Sequence, residues 1–144
     1  MPIYECLTTQ GTLDQAKRKR FAEAVTAIHC EETNASADFV HVVFPELPEG
    51  HSFTGGNGAN PALIRGQVRA GRPPSVRNAI INRVFSLYEE LTGADRMSIL
   101  VAIIDVPASW AMEGGMILPE PIKAEEDAWF AEMAARKSPN PTRA

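Results

Sequence analysis

The sequence predicts an α/β fold built from two consecutive β-α-β units, and three observations carry that prediction. Short runs rich in β-branched and aromatic residues alternate with long segments of helical periodicity, in the order strand, helix, strand, twice over. A stretch rich in Pro, Gly and Asn, residues 45–61, separates the two halves. The chain has 144 residues, 44% hydrophobic and 22% charged, which suits one ordinary globular domain. It divides into a first unit and loop (1–61), a second unit (62–121) and a C-terminal helix and tail (122–144).

The first strand covers Met1-Pro2-Ile3-Tyr4-Glu5-Cys6-Leu7. Proline has no backbone N–H and suits the start of a strand. After the turn Thr8–Gly11, Thr12 is an N-cap candidate with Gln15 as its capping-box partner. A helix from about Leu13 to Glu32 carries the stripe Phe21, Ala24, Val25 and Ile28, with Lys17 to Arg20 on a solvated face. Asp38–Phe44 forms the second strand and Pro45 ends it. Residues 45–61 are a long loop with no Gly-Lys-Ser/Thr phosphate signature, and loops of this length are usually functional.

Ala62–Val68 is the third strand. Ser75 caps a second helix, Val76 to Leu91, with Val76, Ile80, Val84, Leu87 and Leu91 facing the core, and Gly93 closes it. Met97–Val106 is almost entirely apolar, as in a strand buried on both faces. A helical turn over Ser109–Glu113 follows, then a helix from Glu125 to Arg136 and a disordered tail from Ser138. Two β-α-β units give a four-stranded sheet with both helices on one face. The other face, carrying Val42, Phe44, Leu100 and Ala102, is too apolar to stay in water, which implies a closed homo-oligomer.

A net charge of −4 argues against general nucleic-acid binding. No apolar run approaches the ~20 residues of a membrane span, and the N-terminus lacks a signal pattern. Cys6 and Cys30, the two cysteines, have no metal-type spacing and point to a reduced, cytoplasmic protein. The histidines at 29, 41 and 51 have no ligand spacing on one element, so no metal or cofactor is expected.

Pro2 is either simply a processed terminus or the centre of the chemistry. If Met1 is removed, Pro2 is a free secondary amine, a group that titrates at roughly 7.7–8.0. A nearby cation lowers that value and leaves a neutral general base at pH 7. His29, in the last turns of the first helix, is either a partly buried structural histidine or a donor to an anionic substrate. His41 is taken as structural. Arg69-Ala70-Gly71-Arg72 either leaves two solvated arginines at a turn or, through the Ala-Gly bend, turns two guanidinium forks toward one carboxylate. Glu113, just before two glycines, is either a surface residue or a water-activating carboxylate.

These positions together resemble the tautomerase superfamily, and within it the cis-3-chloroacrylic acid dehalogenase group. The matching pieces are Pro2-Ile3-Tyr4, His29, Arg69-Ala70-Gly71-Arg72 and the Pro107–Pro119 segment with Glu113. The resemblance extends to about Pro121. It implies a double-length β-α-β-β-α-β subunit and a homotrimer. It also implies roles: Pro2 as catalytic amine, Arg69 and Arg72 on the substrate carboxylate, His29 polarising that end of the substrate, and Glu113 activating water. The group's tyrosine on the fourth strand is matched here by Ala102, and Tyr4 on the first strand is the candidate to stand in for it as a substrate-binding residue.

Three functions follow from the resemblance. The leading one is an isomerase for small 2-oxo acids such as phenylpyruvate, which needs no activated water. The second is a dehalogenase or hydratase of 3-substituted acrylates, for which Ala102 is a handicap. The third is a trimeric binding protein with a vestigial pocket, as relatives of macrophage migration inhibitory factor can be.

Overall fold

The structure is a computed structural model and describes residues 1–137. These residues form two compact units: Met1–Val68 with Arg72–Ile104, and Arg69–Gly71 with the chain from Asp105. Strands β1 (Ile3–Thr9), β2 (His41–Val43), β6 (Ala62–Arg69) and β7 (Ile99–Val106) line up in the order β2-β1-β6-β7. β1 runs parallel to β2 and antiparallel to β6, with Tyr4 opposite Gly66 and Cys6 opposite Ile64. A two-residue strand, β3 (Glu46–Leu47), extends the parallel pairing at Thr8 and Thr9.

Helices α1 (Gln15–Thr33) and α2 (Pro74–Thr92) cover one face of this sheet. Tyr4 and Cys6 from β1, Ala62, Ile64 and Val68 from β6, Phe21, Val25 and Ile28 from α1, and Ile80, Val84 and Tyr88 from α2 share a single core. Phe21 meets Phe44 and Tyr88 edge-on, at centroid distances of 5.8 and 6.0 Å. Buried residues alternate with intermediate ones along most of β1 and with exposed ones along β6, the pattern of a sheet covered on one side.

Several boundaries move. The N-cap of α1 is Asp14, not Thr12; its carboxylate accepts from the Lys17 N–H at 2.8 Å, so the helix starts two residues later. α2 is entered through Pro73 as N-cap and Pro74 at N1, where a missing N–H costs nothing, and Ser75 lies inside the helix. Gly93 does close it, at φ +66°. Residues 37–39 turn as a 3-10 helix and shorten the second strand. Within 45–61, β3 and a hairpin of β4 (Phe53–Thr54) and β5 (Asn57–Gly58) replace the expected irregular loop. Arg18, assigned to a solvated face, is ion-paired with Glu46.

The fourth sheet strand, β7, is also not buried on both faces. Val101 and Ile103 pack on the core, whereas Leu100 and Ile104 are about half exposed. Val42 and Phe44 likewise face the core; Leu100 lies on the bare face as expected, and Ile3, Val43, Leu63 and Ile104 complete it. Across it Glu5 and Arg65 form an ion pair at 2.7 Å.

In the second unit, a 3-10 turn at Ala108–Trp110 leads into a hairpin of β8 (Met112–Glu113) and β9 (Met116–Ile117), where a helical turn through Glu113 was expected. Helix α3 (Lys123–Arg136) packs on this hairpin. Its Trp129 indole N–H donates to the Ile117 carbonyl at 3.0 Å. Met133 lies against Gly114, where an added Cβ would come within 2.4 Å of it. The tail expected from Ser138 onward lies outside the described residues.

Cys6, Tyr88 and Tyr4 are buried acids of the first unit, and all three shape its alkaline stability. Burial pushes the Cys6 thiol from 9.0 up to about 12. Burial, and secondarily Cys6, pushes the Tyr88 phenol from 10.0 up to about 12. All three folded-state values are raised, so their contribution is complete below about pH 8 and is lost as pH climbs toward 12. Urea unfolding at fixed protein concentration should give constant stability up to about pH 8 and a loss on the order of 5 kcal/mol by pH 11, with about half of that loss removed in Cys6→Ala. A flat profile to pH 11 would contradict the burial of these groups.

Candidate active site

In the first unit, Pro2 is fully buried just ahead of β1, and its carbonyl accepts from the His41 N–H at 3.0 Å. Two residues on, and therefore on the same face of the strand, stands Tyr4, also buried. Its hydroxyl is hydrogen-bonded to Nδ1 of His29 at 2.8 Å, with the rings edge-on and 5.7 Å between centroids. Burial raises the Tyr4 phenol well above its ordinary range, the Arg72 guanidinium pulls it partly back, and Cys30 adds to the rise. Tyr4 therefore stays neutral at any physiological pH. When this neutral phenol donates to Nδ1, the imidazole proton resides on Nε2.

His29 is buried near the C-terminal end of α1 and not partly exposed, because the stripe of that helix extends one position past Ile28. His41, taken as structural, is exposed on β2. The first unit thus brings together Pro2, Tyr4, His29 and the charge of Arg72.

Gly66 makes the Tyr4 position possible. A Cβ there would fall 2.6 Å from Tyr4 Cε1 and 2.8 Å from Ile103 Cδ1, so the phenol ring lies directly over a strand residue that has no side chain. An isolated glycine inside a strand pattern signals such a close approach. That signal was available in Ile64-Arg65-Gly66-Gln67 and was missed. Cys30, one residue beyond His29, is half-buried. Burial first, then Glu31, raises its thiol, so it is not activated as a nucleophile.

The second unit holds Arg69 and Glu113. Arg69 ends β6, its guanidinium donating to the Pro119 carbonyl at 2.7 Å and ion-pairing with Glu126 of α3. The chain then bends at Gly71, φ +109°, where a side chain would meet Pro121 Cγ at 2.8 Å. Glu113 is half-buried beside the Gly114-Gly115 turn, both glycines at positive φ as a tight hairpin demands. Among the described residues no group of three His, Cys, Asp or Glu side chains could hold a metal ion. No helix among them is long and apolar enough to cross a membrane.

The comparisons agree with this fold. The family described as "Putative oxalocrotonate tautomerase enzyme" matches residues 1–134, and the chain belongs to it. No curated protein matches the chain. Among solved structures, the native protein Ps01740 is 51% identical, with a TM-score of 0.76 over 77% of this chain and 99% of its own. N1, a member of the cis-3-chloroacrylic acid dehalogenase family, is 25% identical, with a TM-score of 0.85 over 94% and 96% of the two chains. Pt0534 inactivated by 2-oxo-3-pentynoate is also 25% identical, with a TM-score of 0.73 over 81% and 94%.

Because the Tyr4 ring needs the empty position at 66, Gly66→Ala should displace it from His29 and cost about 1–3 kcal/mol of stability by urea unfolding. Tyr4→Phe, which withdraws the hydroxyl from buried Nδ1, should cost a similar amount, about 1–3 kcal/mol, while leaving the backbone in place. The double variant should cost less than the sum of the two, since both act on one contact. Full additivity would show that the glycine and the hydroxyl act independently.

Proposed function

We propose that this chain is an amino-terminal-proline tautomerase that interconverts the enol and keto forms of small, phenylpyruvate-like 2-oxo acids. Met1 is removed, which frees the Pro2 nitrogen as a secondary amine. That nitrogen takes the proton of the enol hydroxyl, and the resulting ammonium returns a proton to C3, giving the ketone with no net gain or loss of atoms. The reverse direction begins with removal of the C3 proton. Arg69 and Arg72 bind the substrate carboxylate, a positioning contribution. His29 donates toward the substrate, and Tyr4 holds its ring in place.

The observation that carries this reading is the buried Tyr4–His29 hydrogen bond on the face of β1 that also bears Pro2, with the charge of Arg72 acting on it. A neutral, hydrogen-bonded pair beside an amine and a cation suits proton transfer on an anionic substrate. The 2-oxo acid that inactivated the relative Pt0534 supports the same substrate class.

A homotrimer is part of the proposal. Its support is the uncovered sheet face with Ile3, Val43, Leu63, Leu100 and Ile104, which continues into an open groove of about 730 Å³ lined by Phe53, Pro61, Met97 and Leu100. Met97 there is 92% exposed. The reduced cytoplasm remains the proposed compartment, and no cofactor is invoked.

A hydratase or dehalogenase reading has one observation in its favour, the similarity over nearly the whole chain to N1, a member of the cis-3-chloroacrylic acid dehalogenase family. In it, protonated Pro2 would donate to the α-carbon of a 3-substituted acrylate while Glu113 directs water to the β-carbon. Halide release from cis-3-chloroacrylate that disappears in Glu113→Gln would favour this chemistry over isomerisation.

Intact-mass spectrometry should find the protein without Met1. Enol-to-keto conversion of phenylpyruvate, followed by absorbance, should fall about 10²–10⁴-fold in Pro2→Ala. Arg72→Ala should raise KM about tenfold or more with a smaller change in kcat. Equal activity of wild type and Pro2→Ala, or a retained Met1, would overturn the reading.

A further inference from the structure

Arg69 already has an anion beside it before any ligand arrives, supplied by the second unit. Its side chain is only 10% exposed and that of Glu126 26%, so the pair is largely shielded from water. One terminal nitrogen donates to the Pro119 carbonyl and the other meets the Glu126 carboxylate. α3 fixes Glu126 in place. Trp129 and Met133, three and seven residues further along the same helix face, are buried and lock α3 onto the β8–β9 hairpin through Ile117 and Gly114. Glu126 also sits in the first turn of α3, where the helix dipole favours a negative charge. Glu125, its neighbour, is occupied in accepting from the Glu120 N–H at 3.1 Å. The carboxylate on Arg69 is therefore a built part of the unit and not a flexible surface charge that happened to find a cation.

We infer that Glu126 determines the charge specificity of carboxylate binding at Arg69, by offsetting the guanidinium charge so that a monoanion is accepted and a dianion is disfavoured. This inference rests on the proposed carboxylate-binding role of Arg69. A carboxylate reaching Arg69 meets a fork whose geometry is already fixed by Pro119 and Glu126. It also meets a second negative charge in a shielded place, where Coulomb terms are stronger than in water. For a monocarboxylate the cost is one like-charge interaction. For a dicarboxylate of similar size the repulsion acts on both charges, so the cost is larger than for the monocarboxylate. Glu126 touches neither reacting atom nor substrate and is a positioning and specificity residue.

Glu126→Gln separates charge from geometry, because the amide oxygen can still accept from Arg69 while the negative charge is gone. Calorimetric titration with a 2-oxo monocarboxylate and a 2-oxo dicarboxylate reads this without turnover. Glu126→Gln should tighten monocarboxylate binding about threefold and dicarboxylate binding about tenfold or more. Both gains should vanish in the double variant with Arg69→Met. Unchanged or weaker binding, an equal gain for both ligands, or no measurable binding of either ligand to either protein would overturn the inference. Thermal melting and tryptophan emission, read in a Trp110→Phe background so that Trp129 alone reports, establish that α3 remains docked; if Glu126→Gln unfolds, Glu126→Ala read in the same way takes its place. Turnover by wild type and Pro2→Ala is scored separately, so an inactive protein that still shows the charge-selective gain sinks the tautomerase reading and not this one.

Discussion

The close approach of the Tyr4 ring to the backbone of β6 is the constraint on which the first unit depends. A phenol lying over Gly66 can reach across the core to α1 and meet His29. The same ring occupies the space that Ile103 of β7 borders, so one glycine sets the spacing of three strands and a helix. Any side chain at 66 would have to take that volume from a core that is already filled, and interiors packed to crystal-like density yield little. The polar pair survives in this setting because each partner satisfies the other; a buried hydroxyl or imidazole left without a bond would be costly.

This arrangement explains which parts of the fold were legible in the sequence. Alternation along Ile3–Thr9 and Ala62–Arg69, and the 3.6-residue stripe of Val25 and Ile28, are written in residue type, and they gave the β-α-β order and the helical face directly. Gly93 was legible because a left-handed helix end has a strong residue preference. The start of α1 was not, since Thr12 and Asp14 are both good caps and only the register of the first turn chooses between them. The β7 reading failed for a different reason. A run of consecutive apolar residues looks the same whether its second face is covered by its own chain or left bare. The bare face is decided by which residues alternate inward, and Val42 and Phe44 turned inward with the core.

The candidate site divides along similar lines. Pro2 and His29 could be singled out from their places, a proline at a terminus and a histidine in the last turns of a helix, whereas Tyr4 entered only as a stand-in for the tyrosine that Ala102 replaces. Glu126 could not, because a glutamate in the first turn of an acidic helix reads as an ordinary dipole partner. Its significance is a long-range fact: 57 positions separate it from Arg69. The same limit applies to Glu113. Sequence placed it near glycines correctly but assigned it a helical turn, because Gly114-Gly115 at positive φ marks a hairpin as readily as a helix end.

Ala102 bears on the choice between the two proposed chemistries. Adding water to an acrylate requires a nucleophile held and deprotonated as the new bond forms, and one carboxylate must do both when no second hydroxyl is available. Tyr4 cannot take up the missing role while it is bonded to His29, since its phenol is held neutral by burial and its hydroxyl is already engaged. Freeing it would expose the imidazole in a closed core. Tautomerisation asks less of the protein. It moves one proton between two atoms of a bound acid, and a single amine of suitable pKa serves for both halves of the transfer. A chain that spends its buried tyrosine on orienting a histidine, and has an alanine on the fourth sheet strand, is therefore better suited to moving protons than to activating water.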